Sequence, residues 1–215
     1  MKSPPDRRPV AALALLAALA AGPASAQTYD DLMQAAESGY TPTVIELVRK
    51  GMAVDSADKA GNTLLMIAAR NGTAETVEFL IKSGARLDAR NGAGETALLL
   101  ASFKGHLPVV QRLVRAGAAV NKKGWSPIGY AAFEGHTEVV RFLLDSGADP
   151  DSRAPNGATP LMFAARHGHI EVARLLIERG ADVDLKNDTG ATAMLWAAEH
   201  GNTDIMQLIQ AAPVR

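Results

Sequence analysis

An all-α solenoid of stacked helix-turn-helix units, joined by short hairpin-like turns, is the fold class the sequence predicts. Three observations predict it: glycines at a fixed period, a small-residue pair at a constant offset before each, and apolar pairs at helical spacing after each. The glycines are Gly39, Gly72, Gly105, Gly135, Gly168 and Gly201, separated by 33, 33, 30, 33 and 33 residues. The small pairs are Ala35-Ala36, Ala68-Ala69, Ala101-Ser102, Ala131-Ala132, Ala164-Ala165 and Ala197-Ala198. The apolar pairs include Val109-Val110, Val139-Val140 and Ile205-Met206, then Leu80-Ile81, Leu113-Val114, Leu143-Leu144 and Leu176-Ile177.

Each element of a unit has its own cause. Thr63, Thr96, Ser126, Thr159 and Thr192 stand where a first helix needs an N-cap, and Pro127 and Pro160 suit its first turn. The Ala pairs let a neighbouring helix approach closely. The central glycine stops the first helix. The pairs four, five, eight and nine residues later form one stripe on a second helix. A second glycine closes that helix at Gly51, Gly84, Gly117, Gly147 and Gly180, and a polar glycine-bearing turn such as Asp58-Lys59-Ala60-Gly61 leads onward. The predicted units are about 28–57, 58–90, 91–120, 121–153, 154–186 and 187–212. The first opens on the polar residues Thr28, Asp30 and Asp31, and the last offers Thr203, Asp204 and Gln207 outward, as expected of terminal units.

SPIGYAAFEGHTEVVRFLLDSGAD (126–149) and TPLMFAARHGHIEVARLLIERGADVD (159–184) resemble the ankyrin repeat, and the resemblance extends over about residues 28–212. It implies a binding scaffold that recognises a protein partner with its turn tips and the concave ends of its first helices. One departure stands out. The histidine usual after Thr-Pro-Leu is replaced by Met66, Leu99, Gly129, Met162 and Leu195, so apolar contacts are expected in place of its hydrogen bonds.

Residues 1–26 read as an export signal cleaved after Ala26. Lys2, Arg7 and Arg8 make a positive start, residues 10–21 are uninterruptedly apolar, and Ala24, Ser25 and Ala26 make a small-x-small site. The apolar run is short of the roughly 20 residues a bilayer span needs, so no membrane association is expected after cleavage. Signal and resemblance together imply an exported bacterial protein, in the periplasm or secreted. Without residues 1–26 the chain has 19 Lys+Arg against 22 Asp+Glu, an acidic balance that disfavours non-specific nucleic-acid binding. There are no cysteines, so an exported chain relies on packing alone.

No catalytic residue, metal site or cofactor is predicted. His106, His136 and His169 follow the central glycines, where local backbone satisfies a histidine, and His167 and His200 precede them. Units spaced roughly 10 Å apart hold such histidines too far apart to share a zinc. The patterns of a nucleophile elbow, a zinc protease and a phosphate loop are absent from the sequence. An open array also lacks the closed pocket that enzymes and small-molecule binders favour, so they rank below a protein-binding monomer. An immunity-type inhibitor of a toxin or hydrolase is the alternative within binding.

The expected contact centre lies at the single irregular spacing. The fourth unit is three residues short, because NKKGWSP (121–127) replaces a turn as long as DSRAPNGATP (151–160). A shortened finger leaves a notch. Trp125 sits there with Phe103 and Phe133 nearby, flanked by Lys104, Lys122 and Lys123, and Glu134, Arg166 and His167 continue the surface. Exposed aromatics are favoured interface anchors. The competing expectation is that Trp125 folds back over its turn as packing. Trp196 shares the slot of Ile67, Leu100, Tyr130 and Phe163 and is expected to pack.

Overall fold

The computed structural model describes residues 23–212, with side chains from residue 27 onward. Twelve helices occupy the described residues in six consecutive pairs: α1 (Pro23–Glu37) with α2 (Thr41–Arg49), α3 (Leu64–Asn71) with α4 (Ala74–Lys82), and α5 (Ala97–Phe103) with α6 (Leu107–Arg115). They continue with α7 (Pro127–Phe133) and α8 (Thr137–Asp145), α9 (Pro160–His167) and α10 (Ile170–Glu178), and α11 (Ala193–Glu199) and α12 (Thr203–Gln210). Each first helix packs on its own second helix and on the first helices of the neighbouring units. The second helices form a second, looser row. The fold is therefore the predicted all-α solenoid; one isolated bridge, Ala57 to Thr63, is all the extended pairing among the described residues.

The caps act where the sequence puts them. The hydroxyls of Thr63, Thr96, Ser126, Thr159 and Thr192 accept from the backbone N–H of Met66, Leu99, Gly129, Met162 and Leu195 at 3.1–3.4 Å. This satisfies one of the four unpaired donors at each helix start. First helices are covered on several sides, so Leu64, Leu65, Met66, Ile67, Ala68 and Ala69 are all buried. Second helices bury one stripe, as in Val109, Val110 and Leu113, and Val139, Val140 and Leu143. Thr76 joins the early stripe through a 2.6 Å hydroxyl contact with Thr41.

Met66, Leu99 and Met162, in the slot of the missing histidine, are at most 3% exposed, so apolar contact does replace it. Leu195 in the last unit is 46% exposed, because no further unit covers it. The polar ties between units come from a different column. His106, His136 and His169 donate Nε2–H to the carbonyls of Arg70, Phe103 and Phe133 in the preceding unit, at 3.1, 2.9 and 3.0 Å. A carbonyl only accepts, so each ring carries its proton on Nε2. The partner is thus backbone, as expected, but that of the unit before. In the last unit Asn202 takes the same place and donates Nδ2–H to the carbonyls of Ala165 and Arg166.

Each ring also lies against the central glycine of the unit before it. A Cβ at Gly72, Gly105 or Gly135 would meet the ring of His106, His136 or His169 at 2.6–2.7 Å. The six central glycines have φ of 71–78°, so conformation demands glycine at all six, and close approach adds to it at Gly72, Gly105 and Gly135.

At the N-terminal end residues 23–27 are already helical, upstream of the polar start expected for the first unit at Thr28, and the Tyr29 hydroxyl donates to the Ala57 carbonyl. The expected cleavage triplet at 24–26 falls within α1; residues 1–22 of the expected export signal lie outside the described residues.

Candidate binding surface

Four of the five inter-unit turns are long, and most of their tips are organised by an Asx residue. The Asp58 carboxylate accepts from the N–H of Ala60 and Asn62, both at 2.8 Å. The Asn91 side-chain oxygen accepts from Ala93 and Glu95, and that of Asn187 from Thr189 and Ala191. Neighbouring long tips also bond to each other. Gly92 donates to the Ala60 carbonyl at 2.9 Å, and Asp188 to the Asn156 carbonyl at 3.1 Å.

The fourth finger departs from this. Asn121 sits in register with Asp55, Asp88 and Asp151, each of which binds a backbone N–H one unit on. After Asn121 only Lys122, Lys123, Gly124 and Trp125 remain before the cap Ser126. Among the described residues no backbone–backbone hydrogen bond joins this tip to either neighbour. A groove of about 350 Å³ opens on one side, lined among others by Arg90, Glu95, Leu99, Lys123, Trp125 and Tyr130. A second of about 430 Å³ opens on the other, lined by Asn121, Lys123, Asp149, Ser152 and Arg153 among others.

A continuous row of aromatic rings passes this finger. Phe103 meets Tyr130 edge-on at 5.3 Å, Tyr130 meets Trp125 at 4.8 Å, and Trp125 stacks on Phe163 at 5.6 Å. Phe163 then meets Phe133 at 5.8 Å and Trp196 at 6.1 Å. The His167 ring lies 4.3 Å from Phe133, and Lys104 and Arg166 stand over Phe103 and Trp196 at 5.1 and 5.5 Å. The row spans the third to the sixth unit.

The expected site residues divide. Trp125 packs on two rings, yet it is 39% exposed. Phe103 and Phe133 are half-buried and join Trp125 only through Tyr130 and Phe163. Lys104, Lys123, Glu134, Arg166 and His167 are exposed. Lys122 is not an open cation: its side chain is 10% exposed and its ammonium pairs with Asp88 at 3.2 Å. The short turn draws it against the neighbouring finger. Trp196 is 9% exposed and packs as expected.

Tyr130 and Phe163 are the members that sequence reasoning assigned to packing alone. Their slot holds Ile67 and Leu100 in earlier units, so aromatic identity in two adjacent units was the available signal. Covered by its neighbours and facing the Glu95 carboxylate, the Tyr130 phenol titrates above its ordinary range. His167 titrates below its ordinary value. Burial against its neighbours is the main cause, and His169 and Arg166 add to it against an opposing pull from Glu134.

Among the described residues no three His, Asp or Glu side chains gather as a metal site, and no helix is long and apolar enough to cross a membrane. Every fully enclosed side-chain nitrogen or oxygen among the described residues has a partner.

A family profile described as ankyrin repeats (3 copies) matches residues 14–91, 32–124, 87–154 and 146–213. No curated protein matches the chain. The overlapping matches run along nearly the whole sequence, and the capped first helices, central glycines and stacked pairs supply the structure they imply. The chain belongs to the ankyrin-repeat family.

Proposed function

We propose that this chain is a non-catalytic scaffold that binds one protein partner across the fourth finger. Ankyrin repeats generally serve as protein–protein interaction scaffolds. The observation that carries the location is the aromatic row bridged by Trp125, 39% exposed on a finger that lacks the tip bonds of its neighbours. Interface energy concentrates in such partly packed aromatic anchors. The rings beneath Trp125 hold it in place, so little side-chain entropy is lost on binding. The test is affinity capture with purified protein and with Trp125→Ala, each melted in parallel. Loss of the captured partner with folding retained supports the reading; capture undiminished by the substitution overturns it.

We also propose that the protein acts after export. The basic start, apolar stretch and small-x-small triplet in residues 1–26 support this. N-terminal sequencing of the protein from a periplasmic fraction checks it, with Gln27 expected first. An intact Met1 on protein confined to the cytoplasm contradicts it.

A further inference from the structure

One feature of the fingers repeats where the chemistry of a core would not require it. The second residue after Asp88, Asn121, Asp151 and Asp184 is basic in all four units: Arg90, Lys123, Arg153 and Lys186. All four side chains are exposed. No carboxylate among the described residues lies within salt-bridge distance of any of them, although elsewhere Lys50, Lys82, Arg112 and Arg179 are paired on the helices. Arg153 uses one Nη1 on the carbonyls of Gly157 and Lys186, which fixes its stem and leaves the rest of the guanidinium outward. The other turns carry acidic residues beside these cations, whereas the short finger has Lys122 and Lys123 and no acidic residue between Ala118 and Ser126, so positive charge is concentrated there.

The grooves connect three of these cations. Arg90 and Lys123 line the groove that also holds Trp125 and Tyr130, and Lys123 and Arg153 line the one beyond the short finger. The carboxylates present there are already engaged. Asp88 pairs with Lys122, Glu95 accepts from Asn91, and Asp149 accepts from the Asp151 N–H. Successive units are spaced by about 10 Å, the helix-packing distance. An extended peptide rises about 3.3 Å per residue, so one unit corresponds to about three residues.

We propose that the partner offers an extended acidic segment, with carboxylates about every third residue, along Arg90, Lys123, Arg153 and Lys186. An apolar side chain of that segment rests on Trp125 and Tyr130. This rests on the reading of the fourth finger as the contact centre, and it names the chemistry that the finger selects. A peptide matches the spacing of charges and the single apolar seat together. A polyphosphate strand would match the charges and leave the seat empty.

The test is fluorescence anisotropy of the full chain with a labelled 12-residue peptide. The peptide has Glu at every third position, one central Leu and Ser elsewhere. A peptide of identical composition with its Glu residues contiguous and an oligouridylate of equal length serve as comparisons. The spaced peptide should bind best. Lys123→Glu should weaken it about tenfold at low salt and much less in high salt, as rim charges do. Lys123→Gln should fall between. Both variants should melt like the parent, since Lys123 pairs with no carboxylate among the described residues. Equal binding of the contiguous peptide or of the RNA, no binding of any peptide, or indifference to Lys123→Glu would each overturn the proposal. The partner-capture assay separates the two readings. If Trp125→Ala abolishes capture while Lys123→Glu leaves it intact, the contact centre stands and the acidic segment falls; if neither matters, both fall.

Discussion

The histidine column and the fourth finger are built from the same materials, aromatic rings, polar tips and backbone carbonyls, but one is closed and the other open. In the column each ring fills the space over a glycine and donates to a carbonyl of the previous unit, as His136 does over Gly105 to Phe103. At the finger Trp125 rests on two rings with 39% of its surface outward, and Lys123 pairs with no carboxylate among the described residues. The difference arises from three missing residues. Where the period is kept, neighbouring units bond through the histidine column and the long tips; at the short finger Trp125 and Lys123 remain for something else to satisfy.

The sharpest way to break that contrast is to disturb the closed side. Gly105→Ala places a Cβ 2.6 Å from the His136 ring at a residue with φ of 72°, and should cost about 2–3 kcal/mol, read as a lower urea midpoint. Gly84→Ala meets nothing within 4 Å at φ of 84°, so it should cost only the conformational part, about 1–2 kcal/mol. Equal losses would show that the ring contact contributes nothing. His136→Ala comes next. It leaves the Phe103 carbonyl without its donor and should cost about 1–2 kcal/mol by the same measurement. His136→Asn should recover part of this, because Asn202 makes the corresponding bonds in the last unit.

On the open side the stability effects should be smaller and the binding effects larger. Trp125→Ala removes ring contacts from a side chain that is already partly wet, so a loss of about 1 kcal/mol is expected alongside the loss of partner capture. A loss as large as that of Gly105→Ala would make Trp125 a structural residue. Acidification should have the smallest effect. His167 has a folded pKa below its unfolded value, so its neutral form favours the folded state. Stability is then full above the ordinary histidine pKa and declines as pH falls from there toward the depressed value. A slight lowering of the melting temperature on acidification, reduced in His167→Gln, is the expected outcome.

The period made most of the fold legible. Glycine spacing, caps and apolar stripes located both helices of units two to six, because each depends on local chain chemistry. The upstream reach of α1 was not legible: the polar residues from Thr28 suit a terminal unit, yet residues 23–27 are already helical. For the surface, the shortened turn and its exposed Trp125 could be found by counting residues. The loss of Lys122 to Asp88 could not, since pairing between fingers depends on how far a shortened turn draws back. Nor could the joining of Phe103 and Phe133 through Tyr130 and Phe163, which depends on how adjacent first helices stack.

Restoring the period at the fourth finger tests the central claim most directly. Replacing residues 122–125 by the seven residues 89–95 of the preceding turn adds the three that are missing and removes Trp125. Partner capture should be lost while the melting temperature holds or rises, because a long tip can bond to its neighbours. Capture at the original level by the lengthened protein would contradict the claim that the short finger is where the partner binds.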